Sequence, residues 1–248
     1  MKKFFLFLTL LLALQINTEA QVGISIGQVY YDATKWDEAI RDLDNLAEST
    51  TYFKSDGIQF AIDYWFRLKN FRVEFFPEVS YYNLSARPES LVFPDYGYVA
   101  DLKSNVFQFN GNVHIYPFDL EGDCDCPTFS KDGSFLQKGF FIRAAPGIAF
   151  ASYKEEITNT TIAGENSTER KEQATKPTLR IGAGIDFGVN DFITITPLFQ
   201  YTYGFDTGGF EFLSLPEVTT SLESEITQTY FGVRLGLRFD EINKYGYR

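Results

Sequence analysis

The chain has 248 residues, 44% hydrophobic and 17% aromatic, with 26 Phe, 15 Tyr, two Cys and a formal net charge of −11. So apolar a composition excludes a disordered chain, and two cysteines exclude a disulfide scaffold. The acidic balance, with no basic stripe to override it, excludes nucleic acid as a partner.

Lys2 and Lys3 precede the apolar run from Phe4 to Leu14, after which the chain turns polar up to Thr18-Glu19-Ala20. A basic start, an apolar stretch too short to span a bilayer and a small residue at the cut predict a signal peptide over 1–20. Cleavage leaves Gln21 first. No later stretch reaches the roughly 18 consecutive apolar residues of a spanning helix. An exported chain of this kind is either soluble outside the cytoplasm or crosses a membrane with strands.

From Val22 onward the apolar residues recur with period two, the repeat of a strand. Val22, Ile24, Ile26 and Tyr30 alternate with Gly23, Ser25, Gly27 and Val29. Ile58, Phe60, Ile62, Tyr64, Phe66 and Leu68 share one face of the next segment, and after a tight turn at Lys69-Asn70 the pattern resumes with Phe71, Val73, Phe75, Pro77, Val79 and Tyr81. Phe107 to Tyr116, Phe140 to Phe150, Thr178 to Val189, Ile193 to Tyr203 after a turn at Asn190-Asp191, and Tyr230 to Phe239 complete eight predicted strands.

Predicted strands of 10 to 14 residues exceed the usual five or six of soluble sheets, whereas about 9–11 tilted residues cross a bilayer. The faces opposite the apolar ones carry charged groups among Gly, Ser and Thr, the filling of a small membrane barrel. Connections alternate: gaps near 32–56, 84–104, 154–177 and 204–226 are long, and 69–70 and 190–191 are short. Long loops on one side and tight turns on the other are the layout of an outer-membrane barrel, with four loops outside and both termini periplasmic.

These features, with the Gly-containing runs Gly182-Ala183-Gly184 and Gly232-Val233-Arg234-Leu235-Gly236 and the aromatic-ended last strand, resemble the small OmpA/OmpX-like "porin family" outer-membrane barrels. The resemblance implies an all-β, eight-stranded antiparallel up-and-down transmembrane barrel over 21–239, in a bacterial outer membrane among its lipids and lipopolysaccharide. It departs at the end, where Asp240 to Arg248 follow Phe239 as a short periplasmic tail.

Projected inward, the alternation collects Asp63, Arg67, Arg72, Glu74, Glu78, His114, Arg143, Arg180, Asp186, Arg234 and Arg238. Any one of them facing lipid at mid-bilayer costs about 2–4 kcal/mol, so the interior must hold them, and Arg pairs bidentately with carboxylates there. A lumen this narrow is filled by side chains. The resulting reading is a non-enzymatic, cofactor-free barrel with an envelope-structural or interaction role through its outer loops. The alternatives are a transport or secretion-accessory barrel, using a narrow charged path or a periplasmic docking turn, and an outer-leaflet lipid enzyme. His114, the single histidine, is flanked inward by Asn112 and Tyr116 with no Ser in a nucleophile motif, and reads as a hydrogen-bonded lumen residue.

The connection 117–139 is longer than its side of the barrel predicts, and holds Asp119, Glu121, Asp123, Cys124, Asp125 and Cys126. A Cys124–Cys126 disulfide, a metal-ligand pair and a plain acidic turn are the alternatives there, the spacing completing no zinc pattern. This turn and the outer loops are the candidate docking points for a periplasmic or extracellular protein partner. Trp36, Ala39, Ile40, Leu43, Leu46 and Ala47 follow helical spacing in the first loop. The last loop is acidic, with Asp206, Glu211, Glu217, Glu223 and Glu225 and no Lys or Arg, and the sequons at Asn159 and Asn166 read as polar loop.

Overall fold

Alternating side chains produce a sheet whose two faces differ in solvent, and a sheet closed on itself has no unpaired edge. The computed structural model describes residues 21–32, 56–67, 72–86, 92–93, 98–120, 139–159, 166–190, 192–204 and 226–238. In chain order the strands are β1 (Gln21–Asp32), β2 (Asp56–Arg67), β3 (Val73–Ala86), β4 (Val92–Phe93), β5 (Tyr98–Ile115), β6 (Phe140–Asn159), β7 (Asn166–Ile185), β8 (Phe187–Asn190), β9 (Ile193–Gly204) and β10 (Ile226–Arg238). All neighbours pair antiparallel, and β10 closes the ring by pairing with both β9 and β1. Two-residue β4 pairs with the outer end of β5, and β8 continues the wall of β7 past a break at Asp186. The result is an eight-walled, all-β, up-and-down barrel.

Its faces follow the alternation. Ile24, Ile26, Phe60, Ile62, Phe107, Phe109, Ile142, Ile181, Phe231 and Val233 point outward and are exposed, Ile62 by 60%. Ser25, Gln59, Asp63, Glu78, Gln108, Arg143, Arg180 and Gln200 point inward and are buried. Apolar outside and polar inside is the reverse of a water-soluble barrel.

Three walls are longer than the alternation predicts. β5 has 18 residues and β6 and β7 have 20 each. Most of the predicted loop 154–177 is therefore strand, with Asn159 opposite Asn166 and only 160–165 between them. Apolar alternation ends where the lipid does, while backbone pairing continues beyond it, so periodicity alone marks the membrane belt and not the end of the strand. The predicted gap 84–104 shrinks likewise, since β3 runs to Ala86 and β5 starts at Tyr98. At the other end the reversal lies between Asn190 and Ile193, one residue later than expected, and the Asn190 side chain accepts from the Phe192 and Ile193 amides at 2.9 Å each. The predicted Lys69-Asn70 turn, the first-loop helix and the two cysteines lie outside the described residues.

The closing seam depends on a glycine. Gly27 of β1 faces Gly232 of β10, and a Cβ on Gly27 would lie 2.3 Å from the Phe231 carbonyl oxygen and 2.5 Å from the Gly232 Cα. Backbone cannot yield as a side-chain tip can, so Gly27→Ala is expected to destabilise the barrel by about 1–3 kcal/mol, the usual cost of overpacking. Denaturant unfolding of the reconstituted barrel checks this; an unchanged midpoint would show that the seam is not closely packed.

Candidate functional site

The interior is built from inward positions of every wall. Near its centre Glu78 of β3 receives two guanidinium groups: Arg143 Nη2 of β6 at 2.5 Å from Oε2 and Arg180 Nη1 of β7 at 2.7 Å from Oε1. Asn110 donates to Glu78 Oε1 at 3.2 Å. Neutral side chains accept further guanidinium donors: Asn112 Oδ1 accepts from Arg143 Nε at 2.8 Å, Gln108 Oε1 from Arg180 Nη2 at 2.9 Å and Thr202 Oγ1 from Arg180 Nε at 3.2 Å. Gln108 in turn donates to Thr178, and Asn112 to the Phe76 carbonyl, both at 2.8 Å. Charges removed from water persist only when their donors and acceptors are matched in this way.

A second pair lies against β1. Arg234 of β10 donates from Nε and Nη2 to the two oxygens of Asp63 of β2, at 2.8 and 2.7 Å, a bidentate fork. Gly23 of the intervening strand β1 leaves room for it: a Cβ there would lie within 2.5 Å of both partners. The Arg234 guanidinium also lies over the Phe76 ring, 4.8 Å from its centroid.

Below these pairs, toward the short-turn end, the chemistry changes. The Tyr116 hydroxyl lies 2.8 Å from Glu74 Oε2 and 2.6 Å from Asp186 Oδ2. Trp65 Nε1 donates to Glu74 at 2.7 Å, and Thr196 donates to Asp186 at 2.5 Å. Asp186 reaches this position from the break between β7 and β8, where its amide bonds the Gly139 carbonyl. Arg72 lies over the Tyr116 ring and pairs with Asp119, while its amide donates to the Leu120 carbonyl. That arrangement fastens the first residues of the 117–139 connection under the barrel.

Of the sequence-derived set, the fold thus brings Glu78 together with Arg143 and Arg180, and Asp63 with Arg234. Glu74 and Asp186 converge on the Tyr116 hydroxyl. Arg72 meets Asp119, which lies outside that set. Only the backbone positions of Arg67, opposite Glu74, and Arg238, opposite Gln21, are described. Sequence reading passed over Gln108, Asn110, Thr178 and Thr202 as partners, although their inward register is legible in the alternation.

His114 departs from its expectation. Its ring is stacked between Phe76 and Phe141, with centroids 4.0 Å away on both sides, and neither nitrogen has a hydrogen-bond partner among the described residues. Burial between two rings has replaced the expected polar contacts. This arrangement supplies no base-to-nucleophile pair at His114 for acyl transfer among the described residues.

The outer wall carries an apolar belt about 25 Å tall. Tyr30, Tyr81, Tyr201 and Tyr203 lie at its loop end; Tyr81 packs on Phe107 at 4.8 Å and donates to Asn105 at 2.9 Å. Rings at the other end include Phe66 stacked on Phe75 at 5.3 Å and Phe118 against Phe140 at 5.7 Å. Aromatic girdles flanking an apolar band suit a bilayer with its two interfaces. Above the belt, Lys154 of β6 pairs with Glu156 at 3.5 Å and Glu169 at 3.1 Å, and Lys171 with Glu169 at 2.5 Å. The Lys171 and Lys154 ammonium groups hold the Glu169 carboxyl below its usual range, and the bond to Glu169 holds Lys154 above its own.

No family model and no curated protein matches the chain. Among solved structures it is similar to Neisserial surface protein A, with 11% identity, a TM-score of 0.42, and coverage of 90% of this chain and 98% of that one. It is similar also to Ail, the attachment invasion locus protein of Yersinia pestis, with 11% identity, a TM-score of 0.41 and coverage of 88% and 99%. A major outer membrane protein from Thermus thermophilus shares 7% identity at a TM-score of 0.48, with coverage of 88% and 99%. The barrel assignment itself comes from the strand register of this chain.

Proposed function

We propose that this outer-membrane barrel works with its lumen closed, as an envelope-structural and interaction protein acting through the loops and strand extensions it presents outside. One observation carries the reading: Glu78, Arg143 and Arg180 meet across the interior from β3, β6 and β7, and both arginines are exposed by no more than 2%. A water-filled path would leave such charges wet. Tyr116, Phe141, His114 and Gln200 are as deeply buried at other positions along the interior, so the filling is continuous and not a single gate. With the interior closed, partners are met on the surface, and this reading assigns that contact to the outer end. The extension of β5, β6 and β7 beyond the belt enlarges that surface.

Planar bilayers test this. The reconstituted protein is expected to show no steady single-channel steps. Steady, ion-selective steps abolished by Arg234→Ala would overturn the closed-lumen reading and favour a narrow charged path.

A further inference from the structure

On the extension of β5, β6 and β7, antiparallel register lays the outward residues out in rows. Phe107 stands opposite Phe150 at the top of the belt. The next outward row is Asn105, Ser152 and Gln173, and the one beyond it is Lys103, Lys154 and Lys171, each lysine directly opposite the next. Farther out still, Glu156 and Glu169 stand opposite each other, in register with the backbone of Asp101. The other described Arg and Lys side chains of the walls, Arg72, Arg143, Arg170, Lys176, Arg180 and Arg234, fall on the inward register. Thus the outward cations of the described walls are gathered in one row on three adjacent strands.

That row is costly to the sheet alone, because like charges directly opposite one another repel. It also has a polarity. Its cations lie on the membrane side and the glutamates on the outer side, so among the described residues Glu156 and Glu169 meet Lys154 and Lys171 from the outer flank. Lys154 lies four positions beyond Phe150, about 13 Å of strand and about 10 Å of height at barrel tilt. Lys154 and Lys171 reach outward to these glutamates, but a lysine stem is long enough to turn back toward the interface and offer its ammonium group to a headgroup phosphate.

We infer that the Lys103–Lys154–Lys171 row binds the phosphate groups of anionic outer-leaflet lipids. The charges are complementary, and the row continues the face that already meets lipid. The inference rests on the membrane placement, and adds to it the lipid chemistry that the barrel prefers.

The test is retention of a bis-phosphorylated glycolipid, lipid A, by the detergent-purified full chain, read by native mass spectrometry beside the same lipid stripped of phosphate. The wild-type protein is expected to retain the phosphorylated form selectively. The triple variant Lys103→Gln, Lys154→Gln, Lys171→Gln is expected to retain about ten-fold less, the order set by three partly compensated cations at an anionic surface. Glu169→Gln breaks two of the same ion pairs but leaves the lysines, and is expected to raise retention. Loss of retention in Glu169→Gln as well as in the triple variant would show a merely structural ladder and overturn the proposal, as would equal retention of the phosphate-free lipid. Complete displacement by excess inorganic phosphate would overturn the lipid assignment. Heat-modifiable gel mobility separates the two levels: its absence in the wild type sinks the barrel reading, whereas an intact barrel indifferent to lipid phosphate sinks only the lysine row.

Discussion

Replacing Glu78 with alanine is expected to destabilise the barrel by about 3–5 kcal/mol, the cost of leaving a buried charge without its partner. Two guanidinium groups, Arg143 and Arg180, lose their common carboxylate, and neither can turn toward water because both are buried. Asn112, Gln108 and Thr202 still accept hydrogen bonds from them, but these neutral groups cannot offset two positive charges held together. Guanidinium unfolding of the barrel in lipid vesicles measures the effect. The informative companion is Glu78→Leu combined with Arg143→Met and Arg180→Met, which removes the charges together and is expected to recover most of the loss, since a buried ion cluster often breaks even against an apolar replacement. A Glu78→Ala barrel as stable as the wild type would mean that water reaches the arginines. It would contradict the closed lumen.

Replacing Ile62 with arginine is expected to cost about 2–4 kcal/mol in a bilayer, because the outward face at this height meets hydrocarbon. Ile62 is 60% exposed on the isolated chain, and in a water-soluble sheet arginine at so open a position is neutral within a few tenths of a kcal/mol. The two environments therefore predict different results from one substitution. Ile62 stands opposite Ile24 on β1 and Val79 on β3, all three outward and apolar, so no carboxylate is placed to receive the guanidinium. Vesicle unfolding of Ile62→Arg beside Asn83→Arg, at the polar end of β3, measures the dependence on depth. Equal costs at the two positions would show that the belt does not lie in lipid.

The alternation that made the fold legible is a local property. At 58–82, 140–150, 178–189 and 230–239 it assigns each side chain to a face without knowledge of the partner strand, and hence also assigns Asp63, Glu78, Arg143, Arg180 and Arg234 to the interior. It could not say which carboxylate met which arginine, because pairing depends on register and on how far each side chain reaches across the lumen. Arg143 stands opposite His114 in the ladder and yet bonds Glu78 from β3. Glu74 and Asp186, grouped with the arginines by charge, converge on a phenol. His114 looked polar by residue type but is held by two rings, a consequence of Phe76 and Phe141 flanking it from neighbouring walls.

Strand length and the outer charges show the same division. Hydrophobic periodicity stops at Phe150 on β6 while hydrogen bonding runs on to Asn159, since lipid selects the side chains and backbone pairing does not require lipid. The lysines at 103, 154 and 171 are dispersed over nearly seventy residues and carry no motif. Only antiparallel register sets them side by side. Composition and period two by themselves determined the solvent of each face, and so the barrel and its belt. Contacts between residues distant along the chain were decided by tertiary structure, because which charges become neighbours depends on the shear of a closed sheet.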